Sequence, residues 1–176
     1  MRRSPSDGRL FGQSGPDASP SFLTTPRAHA ACEREFERIC AALTDQASRD
    51  LLADGRRAPD IRRAPTRCVV QGRGAALTIT WLCGASASVD TGELLAILWS
   101  GFVAQRGDPI PERRTYRPEA PPVALWESSL RPVAGDLSSW AWQSGDGTTH
   151  PSADLATHLA ARLVEQLRLT PVPELA

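Results

Sequence analysis

The stretch Thr91–Val103 (Thr-Gly-Glu-Leu-Leu-Ala-Ile-Leu-Trp-Ser-Gly-Phe-Val) constrains the fold more than any other part of the chain. If it is extended, Leu94, Ala96 and Leu98 point one way and Leu95, Ile97 and Trp99 the other, because side chains alternate across a strand. Both rows are apolar. A strand with one wet face would alternate in polarity, so Glu93–Trp99 reads as a central strand covered above and below. Ser100-Gly101 is expected to bulge or break it before Phe102-Val103 continues.

Helical periodicity brackets that strand at a distance. Cys32, Phe36, Ile39, Cys40, Leu43, Ala47 and Leu51 recur every three or four residues and make one apolar stripe. The helix is expected over 26–54. Thr25 stands at the cap position, Pro26 suits the first helical position, and Gly55 is a natural stop. Near the other end, Leu155, Leu159, Leu163 and Leu167, with Ala156, Ala160 and Val164, make a second stripe over 151–168. Ser152 or Thr149 is the expected cap, and Pro171 and Pro173 end the segment.

Strand signals fill the interval. Cys68–Gln71 and Ala75–Cys83 flank Gly72-Arg73-Gly74, which reads as a hairpin with a three-residue loop. With Gln71 facing Ala75, Cys68 would face Thr78. Arg113–Arg117 and Val123–Trp126 are candidate short strands, although Pro118, Pro121 and Pro122 limit pairing between them. Arg131–Asp136 reads as loop. Ser138–Gln143 is the expected last strand, with Trp140 and Trp142 on one face, and Gly145-Asp146-Gly147 turns the chain toward the final helix. The sum is an α+β domain: an antiparallel meander of about five strands, with an N-terminal and a C-terminal amphipathic helix packed on one face. Residues 1–24, rich in Ser, Pro, Gly and Asp, read as a disordered arm, 25–170 as one domain and 171–176 as a short tail.

Composition excludes more than it proposes. The 20 basic residues are all Arg and balance 20 acidic ones, so no strong net field draws the chain to nucleic acid or membrane. No apolar run approaches the roughly 18 residues of a spanning helix, and the first residues lack the apolar stretch of a secretion signal. A cytoplasmic location is expected. Cys32, Cys40, Cys68 and Cys83 form no Cys-x-x-Cys pair, and reduced, buried thiols are the favoured reading.

Candidate sites are few. Trp81, Trp99, Trp140 and Trp142 would wall an apolar pocket if they met between sheet and helices. Arg56, Arg57, Arg62, Arg63 and Arg67 fall close together and would suit phosphate, but Asp54 and Asp60 dilute them and no aromatic residue interleaves for base stacking. His150, Ser152, Asp146 and Asp154 resemble a catalytic trio only in composition, since Ser and Asp belong at a helix start. Glu93 and Glu127 sit at strand ends as the remaining acid–base candidates. Asp154 and His158 are the sole metal-like pair at helical spacing, better read as a wet helix face. No cofactor or metal is expected. Two helices can cover only one face of the sheet. The expected function is therefore a non-enzymatic protein-interaction domain, self-associating or binding another protein through the second face. A Trp-lined small-molecule site and an Arg-mediated nucleic-acid module are the alternatives.

Overall fold

The computed structural model describes residues 21–84, 87–104 and 121–170. A short 3-10 turn at Phe22–Thr24 leads into α1 (Pro26–Ala53). The strands β1 (Asp60–Ala64), β2 (Arg67–Gln71), β3 (Ala75–Leu82), β4 (Glu93–Ser100), β5 (Val123–Val133), β6 (Ala141–Ser144) and β7 (Thr149–His150) follow. The chain ends its described course in α2 (Ser152–Leu169). The strands form one sheet in sequence order, every neighbour antiparallel.

The α+β class and the meander agree with the sequence reading, but the sheet has seven strands where five were expected. β1 arises from the Arg-rich connector. It is an edge strand held by backbone pairing, and the charges and flanking Pro59 and Pro65 that mask it in the sequence are what keep an edge from pairing further. β5 runs 11 residues, through a segment read as loop. β7 has two residues and carries no pattern of its own. Arg113–Arg117 lies outside the described residues, as do the first 20 residues and the C-terminal tail.

Residues 21–24 belong to the fold and not to an arm. Leu23 is buried, and its carbonyl accepts a hydrogen bond from Ser88 Oγ at 3.2 Å. Thr25 holds the cap position of α1 as expected, but neither it nor Ser152 makes a side-chain capping bond. Thr25 Oγ1 donates back to the Phe22 carbonyl, and Ser152 is engaged elsewhere, leaving Pro151 as the residue ahead of α2. At the far end of α1, Gly55 takes φ +70°, its N–H reaches the Leu52 carbonyl at 3.0 Å and the Arg56 N–H reaches Leu51 at 2.8 Å. That reciprocal pair satisfies the last carbonyls and turns the chain sharply.

The β2–β3 register corrects the expected hairpin by one residue. Gln71 pairs with Ala76 and Cys68 with Ile79, and the Gly72 N–H meets the Ala75 carbonyl at 2.9 Å, so the loop is the two residues Arg73-Gly74. A one-residue slip moves a whole strand to the other face. The observed register puts Cys68 and Val70 beside Leu77 and Ile79 in the core, whereas the three-residue loop would have matched Cys68 with polar Thr78.

β4 is the fourth of the seven strands, so the stretch that organised the sequence reading is also the geometric centre. Its two faces differ. Leu94, Ala96 and Leu98 are buried with the helical stripes, and all of the predicted stripe residues of both helices join them. Leu95, Ile97 and Trp99 are only partly buried. The strand breaks where expected, ending at Ser100 with Gly101 at φ +83°, and the β4–β5 register also shifts between Leu98 and Trp99.

An odd number of antiparallel strands makes β1 and β7 run the same way, so the helix before β1 and the helix after β7 are parallel. Side chains mark both ends. Glu35 meets Ser152 at the N-terminal end, and Arg168 meets Asp54 through Nε at 2.6 Å and Nη2 at 3.1 Å at the C-terminal end. Among the described residues, no helix is both long and apolar enough to cross a membrane.

Candidate functional site

The four candidate tryptophans do not share a wall. Trp142 is fully buried and meets Trp81 and Trp140 edge to face, each with ring centroids 5.8 Å apart. This arrangement suits the ring quadrupoles and fills the core between sheet and helices. Trp99 lies on the opposite face, where its Nε1 donates to Thr78 Oγ1 at 3.0 Å. Of the four, Trp140 alone lines a described cavity, one of 430 Å³ beside Glu35, Arg38 and Ser152. Its Nε1 is buried without a partner.

The arginines are divided in the same way. On β1, Arg62 and Arg63 alternate to opposite faces. Arg63 reaches α1, donating to the Cys40 carbonyl at 2.9 Å and pairing with Glu37 at 3.8 Å. Arg62 pairs with Asp60 at 3.3 Å, donates to the Val103 carbonyl at 2.8 Å and lies 5.1 Å from the centre of the Phe102 ring. Arg67 opens β2, with its Nε buried and unpartnered. Arg56 and Arg57 stand apart, at the exit from α1. Neighbours in sequence thus reach different environments: Arg56 and Arg57 line one cavity, whereas strand alternation sends Arg62 and Arg63 to opposite faces.

The catalytic candidates do not assemble. Ser152 Oγ donates to Glu35 Oε2 at 2.7 Å and accepts from Trp142 Nε1 at 3.0 Å, while Arg38 pairs with Glu35 Oε1 at 2.9 Å. The hydroxyl is spent on structure and meets no histidine. His150 instead stacks on His158 with ring centroids 6.2 Å apart. Burial, then Arg162 and His150, hold the His158 pKa below its ordinary value. Arg162 also lies over Trp126, 4.6 Å from the ring centre, so the cation is committed to packing. Glu93 hydrogen-bonds Ser129, whereas Glu127 pairs opposite Ile97, four residues along β4. That offset is about 13 Å of strand, too far for both to serve one substrate atom. Among the described residues, no group of three or more His, Cys, Asp or Glu is placed to hold a metal.

What the geometry does assemble is a sheet face that carries no helix among the described residues. Register places Leu82, Leu95, Ile97, Trp99 and Val133 on this outer face, with Leu82 46% and Val133 40% exposed. Toward β1 the face is closed by the chain itself. The Val103 N–H donates to Gln71 Oε1 at 3.0 Å, and Gln71 Nε2 donates to the Gly101 carbonyl at 3.1 Å. With the Arg62 bond these contacts fasten Gly101–Val103 as a strap across β2. Val69, Ala76 and Val103 are buried there, apart from the main core. Sequence reasoning missed both this strap and the Glu35–Ser152 link. A signal for the second existed: Glu35 is three residues after Cys32 and four before Ile39, at stripe spacing.

Comparison with protein-family models, curated proteins and solved structures finds no match to this chain.

Proposed function

We propose that the chain is a non-enzymatic protein-interaction domain that self-associates through the outer face of its sheet. One observation carries this reading: the central strand has a second apolar row, Leu95, Ile97 and Trp99, with no helix over it among the described residues. A row of large apolar side chains at the middle of a sheet is a costly surface to leave in water. The edges are poor alternatives for pairing. β1 carries Arg62 and Arg63 between two prolines, and β7 is two residues long and runs into Pro151. Face-to-face packing of two copies about a twofold axis would bury both apolar rows against each other.

The other readings have less support. The tryptophans fill space, and the five arginines of the 56–67 run divide among the exit from α1, the two faces of β1 and the start of β2. Light scattering of the full chain tests the proposal. The expected result is a dimer for the native protein and a monomer for Leu95→Glu and Ile97→Glu, with unchanged circular dichroism. A native protein that stays monomeric up to its solubility limit would overturn it.

A further inference from the structure

We propose that the cavity between the C-terminal ends of α1 and α2 binds a small phosphate monoester carrying a compact apolar body. Three features built by different elements meet there, around a volume of 590 Å³. The glycine turn after α1 delivers Arg56 and Arg57. The two-residue β2–β3 loop delivers Arg73. Between them, Leu51 and Leu167, the last buried residues of the two helical stripes, form an apolar floor.

The electrostatics favour an anion. Among the described residues, no hydrogen bond or ion pair holds the guanidinium of Arg56, Arg57 or Arg73, whereas neighbouring Arg168 is fastened to Asp54. The carboxylate lining the cavity, Asp60, already faces Arg62 at 3.3 Å. Three like charges around one concavity repel, and a dianion relieves all three contacts at once. The partial negative charge at the end of α1 is blunted because its last carbonyls accept from Gly55 and Arg56 N–H groups. A phosphate monoester offers two charges and several acceptor oxygens in the geometry that guanidinium forks prefer. The cavity volume lies within the range of small-ligand sites. The floor is aliphatic and lacks an aromatic platform, which argues against a nucleic-acid strand. Gly72 packs directly on this floor: a Cβ there would lie 2.5 Å from Leu167 Cδ1 and would force that side chain to shift. The cavity lining includes none of Leu95, Ile97 and Trp99, and either proposal can fail without the other.

Calorimetric titration of the full chain with phenyl phosphate, inorganic phosphate and benzoate tests the site. Saturable one-site binding of phenyl phosphate is expected, tighter than either of the other two. Arg57→Ala with Arg73→Ala, or the milder Arg73→Gln, should weaken it by roughly tenfold or more, and Arg34→Ala, an exposed change elsewhere on α1, should leave it unchanged. Ala58→Trp, which fills the cavity mouth, should weaken phenyl phosphate more than inorganic phosphate. The proposal is overturned by absence of saturation, by equal losses in Arg34→Ala, or by tighter binding of a single-stranded oligonucleotide that phenyl phosphate does not displace.

Discussion

Ser152 donates its hydroxyl hydrogen to Glu35 across 117 residues of sequence, with Oγ and Oε2 2.7 Å apart. The bond joins the start of α2 to α1, and through Trp142 Nε1 it also reaches the sheet. A buried polar group must be satisfied or it costs the full desolvation penalty. Ser152→Ala would strand the indole N–H and remove one of the two hydrogen bonds that Glu35 Oε2 accepts, the other coming from Arg38 Nη1 at 3.2 Å. It should destabilise the fold by about 1–3 kcal/mol in urea denaturation. A cycle with Glu35→Gln should be non-additive, because both changes act on one network.

Gly92 gives a purely steric test. A Cβ at this position would lie 2.3 Å from Trp81 Cη2 and 2.4 Å from Cζ2. The backbone is extended, so alanine meets no conformational penalty, but the indole is rigid and packs edge to face on buried Trp142. Gly92→Ala should cost about 1–3 kcal/mol and alter the near-ultraviolet circular dichroism of the tryptophan cluster. A neutral result would mean that the ring has free space to move into.

The cysteines should divide by reactivity. Burial, with Cys83, Glu33 and Glu35 nearby, pushes the Cys32 thiol up to about 12. Cys40 is also raised, first by its hydrogen bond with Cys68 and then by burial. Thiolate is the reactive form, and Cys83 is the half-buried exception among four. Pulsed alkylation of the native protein should label Cys83 first, and the other three only as the chain unfolds. Early labelling of Cys40 or Cys68 would contradict the packing of α1 on β2.

Acid should loosen the β6–β7 hairpin through Asp146. Its carboxylate accepts from Ser144 Oγ at 2.6 Å and the Thr148 N–H at 2.9 Å, and the Ser144 bond foremost lowers its pKa to about 2. The unfolded chain therefore takes up this proton at a higher pH than the folded one. The contribution is complete above the ordinary value of 3.8 and is lost as pH falls toward about 2. Asp146→Ala should flatten that part of the stability profile, measured as urea midpoints across the window.

The sequence by itself determined the two helical stripes, the class and the centre. Stripes at three- and four-residue spacing and the doubly apolar run at Glu93–Trp99 are local periodicities, and a helix or strand displays them whatever it packs against. Tertiary structure decided the rest. Edge strands β1 and β7 form because β2 and β6 offer them backbone partners, which leaves no mark in side-chain polarity. The β2–β3 register matches Cys68 and Val70 with Ile79 and Leu77 in the core, which counting residues between strands does not reveal. Ser152 looked like a cap and became a link to Glu35, because only the folded chain brings two positions so far apart within reach. Likewise Arg62 and Arg63 are adjacent in the chain, yet one holds the strap and the other holds α1: pleating sends consecutive side chains to opposite sides of a sheet, and only the assembled layers determine what each side meets.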